Sequence, residues 1–200
     1  LTGLTPFKQV IAEIWGKNAI TVDDDGDLDE AVMVVVKSAF GFQGQKCSAC
    51  SRAIVLAGVH DAFVDRLVEA TRSLQIGPAD DPASSIGPVI DADALGKVHE
   101  YIEIGKQEGR EFLAMNAGEV SKAGFFVGPH IYADLAPGDR LAQEEVFGPV
   151  LAIIRVQDID EAIQVANATD YGLTAGIFSR SPACLDRCRA ELMVGNLYLN

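Results

Sequence analysis

Short apolar runs alternate along this chain with capped, amphipathic segments, and that alternation leaves few architectures open. Ala53 to Ala57 is a β-branched run, and the segment Asp61 to Leu74 after it places Phe63, Val64, Leu67, Val68, Thr71 and Leu74 on one helical stripe. Val150 to Val156 reads as an apolar strand. Asp158 and Glu161 then have capping-box spacing ahead of Ala162, Ile163 and Ala166, and Ala175 to Phe178 returns as strand. Strand, helix and strand in succession imply parallel crossovers. The fold class predicted is α/β, an open, mostly parallel sheet with helices on both faces. With 48% hydrophobic residues in 200, one substantial core and one large domain are expected.

The remaining segments fit that frame. Val10 to Ile14 reads as a strand, Gly16-Lys17-Asn18 as a turn, and Ala19 to Val22 as a resumed extended run. Asp23-Asp-Asp-Gly-Asp27 does not match a calcium loop, because its glycine follows the third aspartate directly and the twelfth position is Val34 rather than Glu. Asp27 and Glu30 instead form a capping box before the helical face Leu28, Val32, Val35, Val36 and Ala39. Asp91 opens a further helix carrying Leu95, Val98, Ile102 and Gly105. Glu111 to Met115, Phe125 to Val127 and Ile131 to Leu135 read as strands. Ser181-Pro182 begins the last helix, and Asn196 to Leu199 ends the chain as a strand.

Composition excludes several functional classes. Sixteen basic residues face 29 acidic ones, a net charge of −13, and no basic cluster exists to follow phosphates, so neither nucleic acid nor an anionic membrane is an expected partner. No apolar run approaches the roughly 20 residues of a membrane span, and the first residues carry no secretory pattern. The expected setting is soluble and cytoplasmic. Four cysteines form two close pairs, Cys47/Cys50 and Cys184/Cys188, without the spacing of a disulfide framework, and reduced thiols are the simpler reading.

The stretch from Phe40 to Arg52 presents one of these thiols in an unusual setting. Glycines at 41 and 44 make a close-packing loop, and Cys47 to Arg52 then reads as a short helical turn with the Cys47 sulfur at its start. A helix N-terminus and the charge of Lys46 both favour thiolate, the nucleophilic form. Cys47 and Cys50 also have the bare spacing of zinc and redox motifs. A zinc site would need Cys184/Cys188 or the isolated His60, His99 and His130, and a thioredoxin-type pair would be followed by a helix rather than by a strand. No metal is expected. Histidine is absent near Cys47, so activation falls to a carboxylate acting through water, with Glu13 or Glu145 as candidates.

Three motifs in one order resemble the aldehyde dehydrogenase superfamily: Glu13 with Gly16-Lys17-Asn18, then Phe42-Gln-Gly-Gln-Lys-Cys-Ser48, then Glu144-Glu-Val-Phe-Gly-Pro149. The fuller string around Cys47, with Gly195-Asn-Leu-Tyr-Leu-Asn200, is similar to the 1-pyrroline-5-carboxylate dehydrogenases, which oxidise glutamate γ-semialdehyde to glutamate. The resemblance runs from Val10 onward, and Leu1 to Gln9 carry no motif of their own. It implies that Cys47 is the nucleophile and Glu13 the general base. It further implies that Glu145 holds the nicotinamide ribose, that Phe147 walls the nicotinamide, and that Lys46 and Ser48 meet the substrate's carboxylate end. The implied cofactor is NAD, with NADP as the other option, and the implied parent is a homo-oligomer.

The resemblance also carries two departures. The family's dinucleotide-binding domain, with its Asn oxyanion donor, precedes the general base, and a substrate-gripping, oligomer-building segment follows the position of Asn200. The chain therefore resembles an isolated catalytic domain, inactive alone, with residues 1–18 as a remnant of the cofactor-domain edge and residues 19–200 as the thiol-bearing domain. Secondly, Trp15 stands where the family has glycine. The competing readings are a dehydrogenase of another aldehyde, and a catalytically silent binding or scaffold module with the same fold.

Overall fold

A computed structural model describes residues 13–200. The chain runs β1 (Asn18–Val22), α1 (Leu28–Phe40), β2 (Cys50–Leu56), α2 (His60–Arg72), α3 (Ala92–Glu108), β3 (Arg110–Ala114), β4 (His130–Ala133), α4 (Arg140–Gln143), β5 (Val150–Val156), α5 (Ile159–Asn167), β6 (Thr174–Phe178), α6 (Pro182–Glu191) and β7 (Asn196–Leu199). Seven strands form one sheet in the order β3-β4-β5-β2-β1-β6-β7. Every neighbouring pair is parallel except β3 with β4.

The alternation seen in the sequence becomes two covered faces. Residues one apart on a strand point to opposite sides. Val32, Val35, Val36, Phe63, Val64 and Leu67 of α1 and α2 pack on Ile20, Val22, Ala53, Val55, Leu151 and Ile153. The opposite side of the same strands offers Ala19, Ile54, Leu56, Ile154 and Val156 to Ala162, Val165 and Ala166 of α5. On that side too, α3 lays Val98 and Ile102 against Tyr132, Val150 and Ala152. Each Val, Leu, Ile or Phe so buried contributes about 1.5–3 kcal/mol, so the central strands β1, β2 and β5 form a rigid platform.

Caps set the helix starts. The Asp27 carboxylate accepts from the N–H groups of Asp29 and Glu30, Asp91 from Ala94, Asp158 from Glu161, and Ser181 from Cys184. Each satisfies donors that the first helical turn cannot pair internally. Among the described residues, no helix is long and apolar enough to cross a membrane.

Four expectations are corrected. Cys47 to Arg52 is not helical: Cys47 and Ser48 form a turn closed by the Ala49 N–H on the Lys46 carbonyl at 3.0 Å, and β2 begins at Cys50. Lying between β1 and β5, β2 pairs its backbone on both edges, which a single helical turn cannot do. Gly16-Lys17-Asn18 is not a turn, because Lys17 is buried and Asn18 is the first residue of β1. Phe125 to Val127 forms no strand: the Phe125 carbonyl accepts from the Val89 N–H at 2.9 Å, and Val127 packs in one cluster with Val89 and Val98 rather than on a ladder. Of the run Val10 to Ile14, residues 10–12 lie outside the described residues, and Glu13 and Ile14 join no ladder.

Candidate active site

The buried C-terminus of α1 delivers the loop that carries Cys47. After Phe40 the backbone turns left-handed at three successive residues, Phe42 (φ 56°), Gln43 (φ 58°) and Gly44 (φ 69°). Two of these carry side chains, and such residues cost of order 1 kcal/mol each, held only where surrounding contacts over-determine them. The Gln45 amide oxygen supplies one such contact by accepting from the Ile90 N–H at 3.1 Å. Gly44 supplies the other. A methyl group there would collide with the Gly148 carbonyl oxygen, so only glycine allows the Cys47 loop and the Glu144–Pro149 loop to close on each other.

Cys47 sits exposed at the tip of its turn. The segment entering β1 braces that turn from behind. The Asn18 side-chain amide, itself buried, donates to the carbonyls of Cys47 at 2.7 Å and Ala49 at 2.9 Å, and the Cys50 N–H donates to the Ser38 hydroxyl at 3.0 Å. The Gly16 backbone abuts the Cys47 carbonyl so closely that a methyl group would overlap it. The Gly16 N–H also donates to Glu145 Oε1 at 2.9 Å. Gly16, Cys47 and Glu145 therefore meet, although they come from three separate stretches of chain.

The two adjacent carboxylates have different tasks. Glu144 turns outward, where Arg140 grips both its oxygens at 3.0 and 2.9 Å and the Tyr101 hydroxyl donates at 2.5 Å. Arg140 first, then Tyr101, hold its carboxyl down to about 2. Glu145, half-buried, turns toward the thiol loop. Phe147 follows with φ 59° and its ring partly exposed at the rim.

Lys46 and Ser48, on either side of the thiol, line a cleft of about 340 Å³ together with Ser38, Tyr198 and Asn200. The Lys46 ammonium lies over Gly41, at the negative end of α1. Glu13 is placed elsewhere. It is exposed and lines a separate, open cleft of about 620 Å³ with Trp15 and Tyr171, and it makes no hydrogen bond among the described residues. Trp15 points outward into that cleft and is 70% exposed. Lys46 thus lines one cleft with Ser48 and a second, small one with Gly16, Glu145 and Phe147, and Glu13 stands three residues upstream of the Gly16 contact.

Cys47 also differs from the other thiols in its surroundings. Cys50 is buried in β2 and burial pushes its thiol up to about 12; burial likewise raises Cys184 to about 12 and Cys188 in the same direction. Beneath the site two cations are buried. Arg52 donates to the carbonyls of Lys17, Val165 and Ala166, each at 3.0 Å, thereby capping the end of α5. Burial, and then the positive charge of Arg52, lower Lys17 to about 7. Lys17, Asn18 and Arg52 lie within the quoted sequence strings but have no role assigned to them from the sequence. The signal was a polar Gly-Lys-Asn directly before an apolar strand, which has the composition of a turn.

Comparison with known proteins shows the family. The aldehyde dehydrogenase family profile matches residues 2–200, including the N-terminal residues that carry no motif of their own. A 1-pyrroline-5-carboxylate dehydrogenase from Geobacillus kaustophilus is 52% identical over 195 residues, 97% of this chain and 37% of that protein. A Thermus 1-pyrroline-5-carboxylate dehydrogenase solved with bound NAD superposes with a TM-score of 0.90 at 46% identity, covering 98% of this chain and 38% of the other. Proline utilization A from Bdellovibrio bacteriovorus gives a TM-score of 0.90 at 48% identity, over 94% of this chain and 19% of its own. The chain spans just over a third of the length of the curated relatives it matches. With a profile match along nearly its whole length, and with the thiol loop folded against the Glu145 loop, the chain belongs to the aldehyde dehydrogenase family.

Proposed function

We propose that this chain is the thiol-bearing part of an NAD-dependent dehydrogenase that oxidises glutamate γ-semialdehyde to glutamate, with residues 19–200 as the catalytic domain and residues 1–18 leading from a cofactor-binding domain. The observation that carries this reading is the meeting of Cys47, Gly16 and Glu145. The relatives named as 1-pyrroline-5-carboxylate dehydrogenases support the choice of aldehyde. The parent is a cytoplasmic homo-oligomer in this reading.

Each residue has a definite task. The Cys47 thiolate adds to the aldehyde carbon, forming a C–S bond and a tetrahedral oxyanion that the Cys47 backbone N–H stabilises. Lys46 and Ser48 meet the far carboxylate of the substrate from the cleft they line. The residues present fit the nicotinamide end of a dinucleotide: Glu145 has one carboxylate oxygen engaged by Gly16, and its other oxygen, with no hydrogen bond among the described residues, would accept from a ribose hydroxyl, while Phe147 at the rim would wall the nicotinamide. The dinucleotide, when bound, supplies the hydride acceptor. Collapse of the oxyanion would break the aldehyde C–H bond, the hydrogen leaving as hydride to that acceptor, and an acyl group would remain on the Cys47 sulfur as a thioester. A carboxylate base then takes a proton from the water that attacks this thioester, releasing glutamate and the thiol, and such a base contributes about 10²–10⁴-fold once positioned. Glu13 is the residue the family resemblance gives this task, and from its neighbouring cleft it has to turn toward Cys47 to perform it.

The test has two arms. Iodoacetamide should alkylate Cys47 ahead of Cys184, Cys188 and Cys50. A longer chain carrying this segment together with the flanking segments of its family should reduce NAD with glutamate γ-semialdehyde in preference to simple aliphatic aldehydes. Turnover of aliphatic aldehydes alone would assign another substrate. An ordinary Cys47 combined with no turnover would favour a silent module, the reading that Trp15 beside Glu13 supports.

A further inference from the structure

We infer that Asn18 is a positioning residue for Cys47, and that it ties the thiol loop to the head of β6; this rests on the reading of Cys47 as nucleophile. Asn18 is buried, and its amide is fully used. Both donors go to loop carbonyls, those of Cys47 at 2.7 Å and Ala49 at 2.9 Å, and the oxygen accepts from the Thr174 N–H at 3.1 Å. The two carbonyls belong to the peptide planes between Cys47 and Ser48 and between Ala49 and Cys50. Fixing both planes fixes the backbone torsions of the turn, and with them the direction in which the Cys47 Cα–Cβ bond leaves the chain.

The local strand pairing shows why a side chain does this work. The β1–β2 register shifts between Asn18, opposite Cys50, and Ala19, opposite Arg52. At such an irregularity the backbone ladder is interrupted and carbonyls lose their usual partners. The Asn18 amide takes up two of them. The direction of its bonds is determined, because carbonyls accept only and the Thr174 N–H donates only. Gly16 closes the remaining space: a methyl there would meet both the Cys47 carbonyl and the Asn18 amide, so the turn has no room to relax toward β1. Gly16 also holds Glu145, so the same short segment braces the thiol on one side and the proposed ribose-holding carboxylate on the other.

Two substitutions in this 200-residue chain separate positioning from plain support. Asn18→Asp keeps an acceptor for the Thr174 N–H and loses both donors to the loop, whereas Asn18→Ala loses all three bonds. Backbone amide exchange and the pH profile of Cys47 alkylation by iodoacetamide are measured, with Cys184 as internal reference. The amides of Ala49 and Cys50 should exchange about tenfold faster in both variants, the equivalent of one lost hydrogen bond, while the amides of Val150–Val156 keep their wild-type rates. In Asn18→Asp the alkylation profile of Cys47 should move to higher pH, because a carboxylate then faces the Cys47 carbonyl and adds negative charge behind the turn that carries the thiolate. Loop and β5 amides accelerating together, or a Cys47 profile unmoved in Asn18→Asp, would reduce Asn18 to a structural residue. If Asn18→Ala does not fold, Asn18→Ser, too short to span both carbonyls, gives the same comparison. The nucleophile reading fails separately, in the wild-type chain, if Cys47 reacts no faster than Cys184.

Discussion

The backbone N–H of Gly16 lies 2.9 Å from Glu145 Oε1, a bond between residues 129 positions apart. It lets a carboxylate from the loop before β5 and a thiol from the loop before β2 share one short backbone segment. Whatever shifts Gly16 is felt at both.

Gly44 is at φ 69°, and a side chain there would strike the Gly148 carbonyl. Gly44→Ala should therefore combine left-handed strain with a backbone clash and lower stability by about 2–4 kcal/mol. Urea unfolding measures the loss. Gly138→Ala, whose added methyl would meet open space, is the control and should change stability by less than about 0.5 kcal/mol.

Arg52 is wholly buried and donates to three carbonyls, two of them at the end of α5. Arg52→Met removes the donors and leaves those acceptors unpaired in an apolar setting. A loss of about 3 kcal/mol is expected, with amides of α5 exchanging before those of α1. A variant as stable as wild type would show that α5 is held by packing alone.

Lys17 gives a pH signature. Its folded value is about 7 against an unfolded 10.5, so between these values the unfolded chain binds a proton that the folded chain has released. Stability from this group is lowest below pH 7 and rises with pH, by up to about 1.4 kcal/mol per unit. Above pH 9 the raised thiols of Cys50 and Cys184 act in the opposite sense, since only the unfolded chain then loses their protons. The chain should thus be more stable at pH 8.5 than at pH 7. Lys17→Met should flatten that rise and be the more stable protein at pH 7, as read from urea midpoints.

The same raised thiols predict a labelling order. At pH 8 one equivalent of iodoacetamide should react rapidly, at Cys47, because Cys50 and Cys188 are buried and protonated and Cys184 is only partly exposed. In 6 M guanidinium, a denaturing concentration of about this size for small domains, all four should react at similar rates. Mass mapping of the alkylated peptides decides it.

Much of this fold was legible locally. Val150–Val156 and Asn196–Leu199 are strands with the expected bounds, and Asp27, Asp91, Asp158 and Ser181 cap the helices anticipated for them. These features depend on residues within a turn or so of one another, where period and capping chemistry act directly. Cys47 to Arg52 and Gly16 to Asn18 were misread for the opposite reason. The backbone after Ala49 becomes strand because β1 pairs with it from Cys50 and β5 from Arg52, and Gly-Lys-Asn is buried because distant carbonyls and the Glu145 carboxylate use its polar groups.

By itself the sequence determined the alternating elements, their caps and the identity of the reactive groups, because hydrophobic period and side-chain chemistry are properties of short stretches. Only the tertiary structure decided which of those groups meet. It turned Glu145 inward and Glu144 outward, buried Lys17 and Arg52 under the site, and set Glu13 in a neighbouring cleft. Those choices depend on hydrogen bonds and close approaches between residues far apart in the chain, which no local pattern encodes.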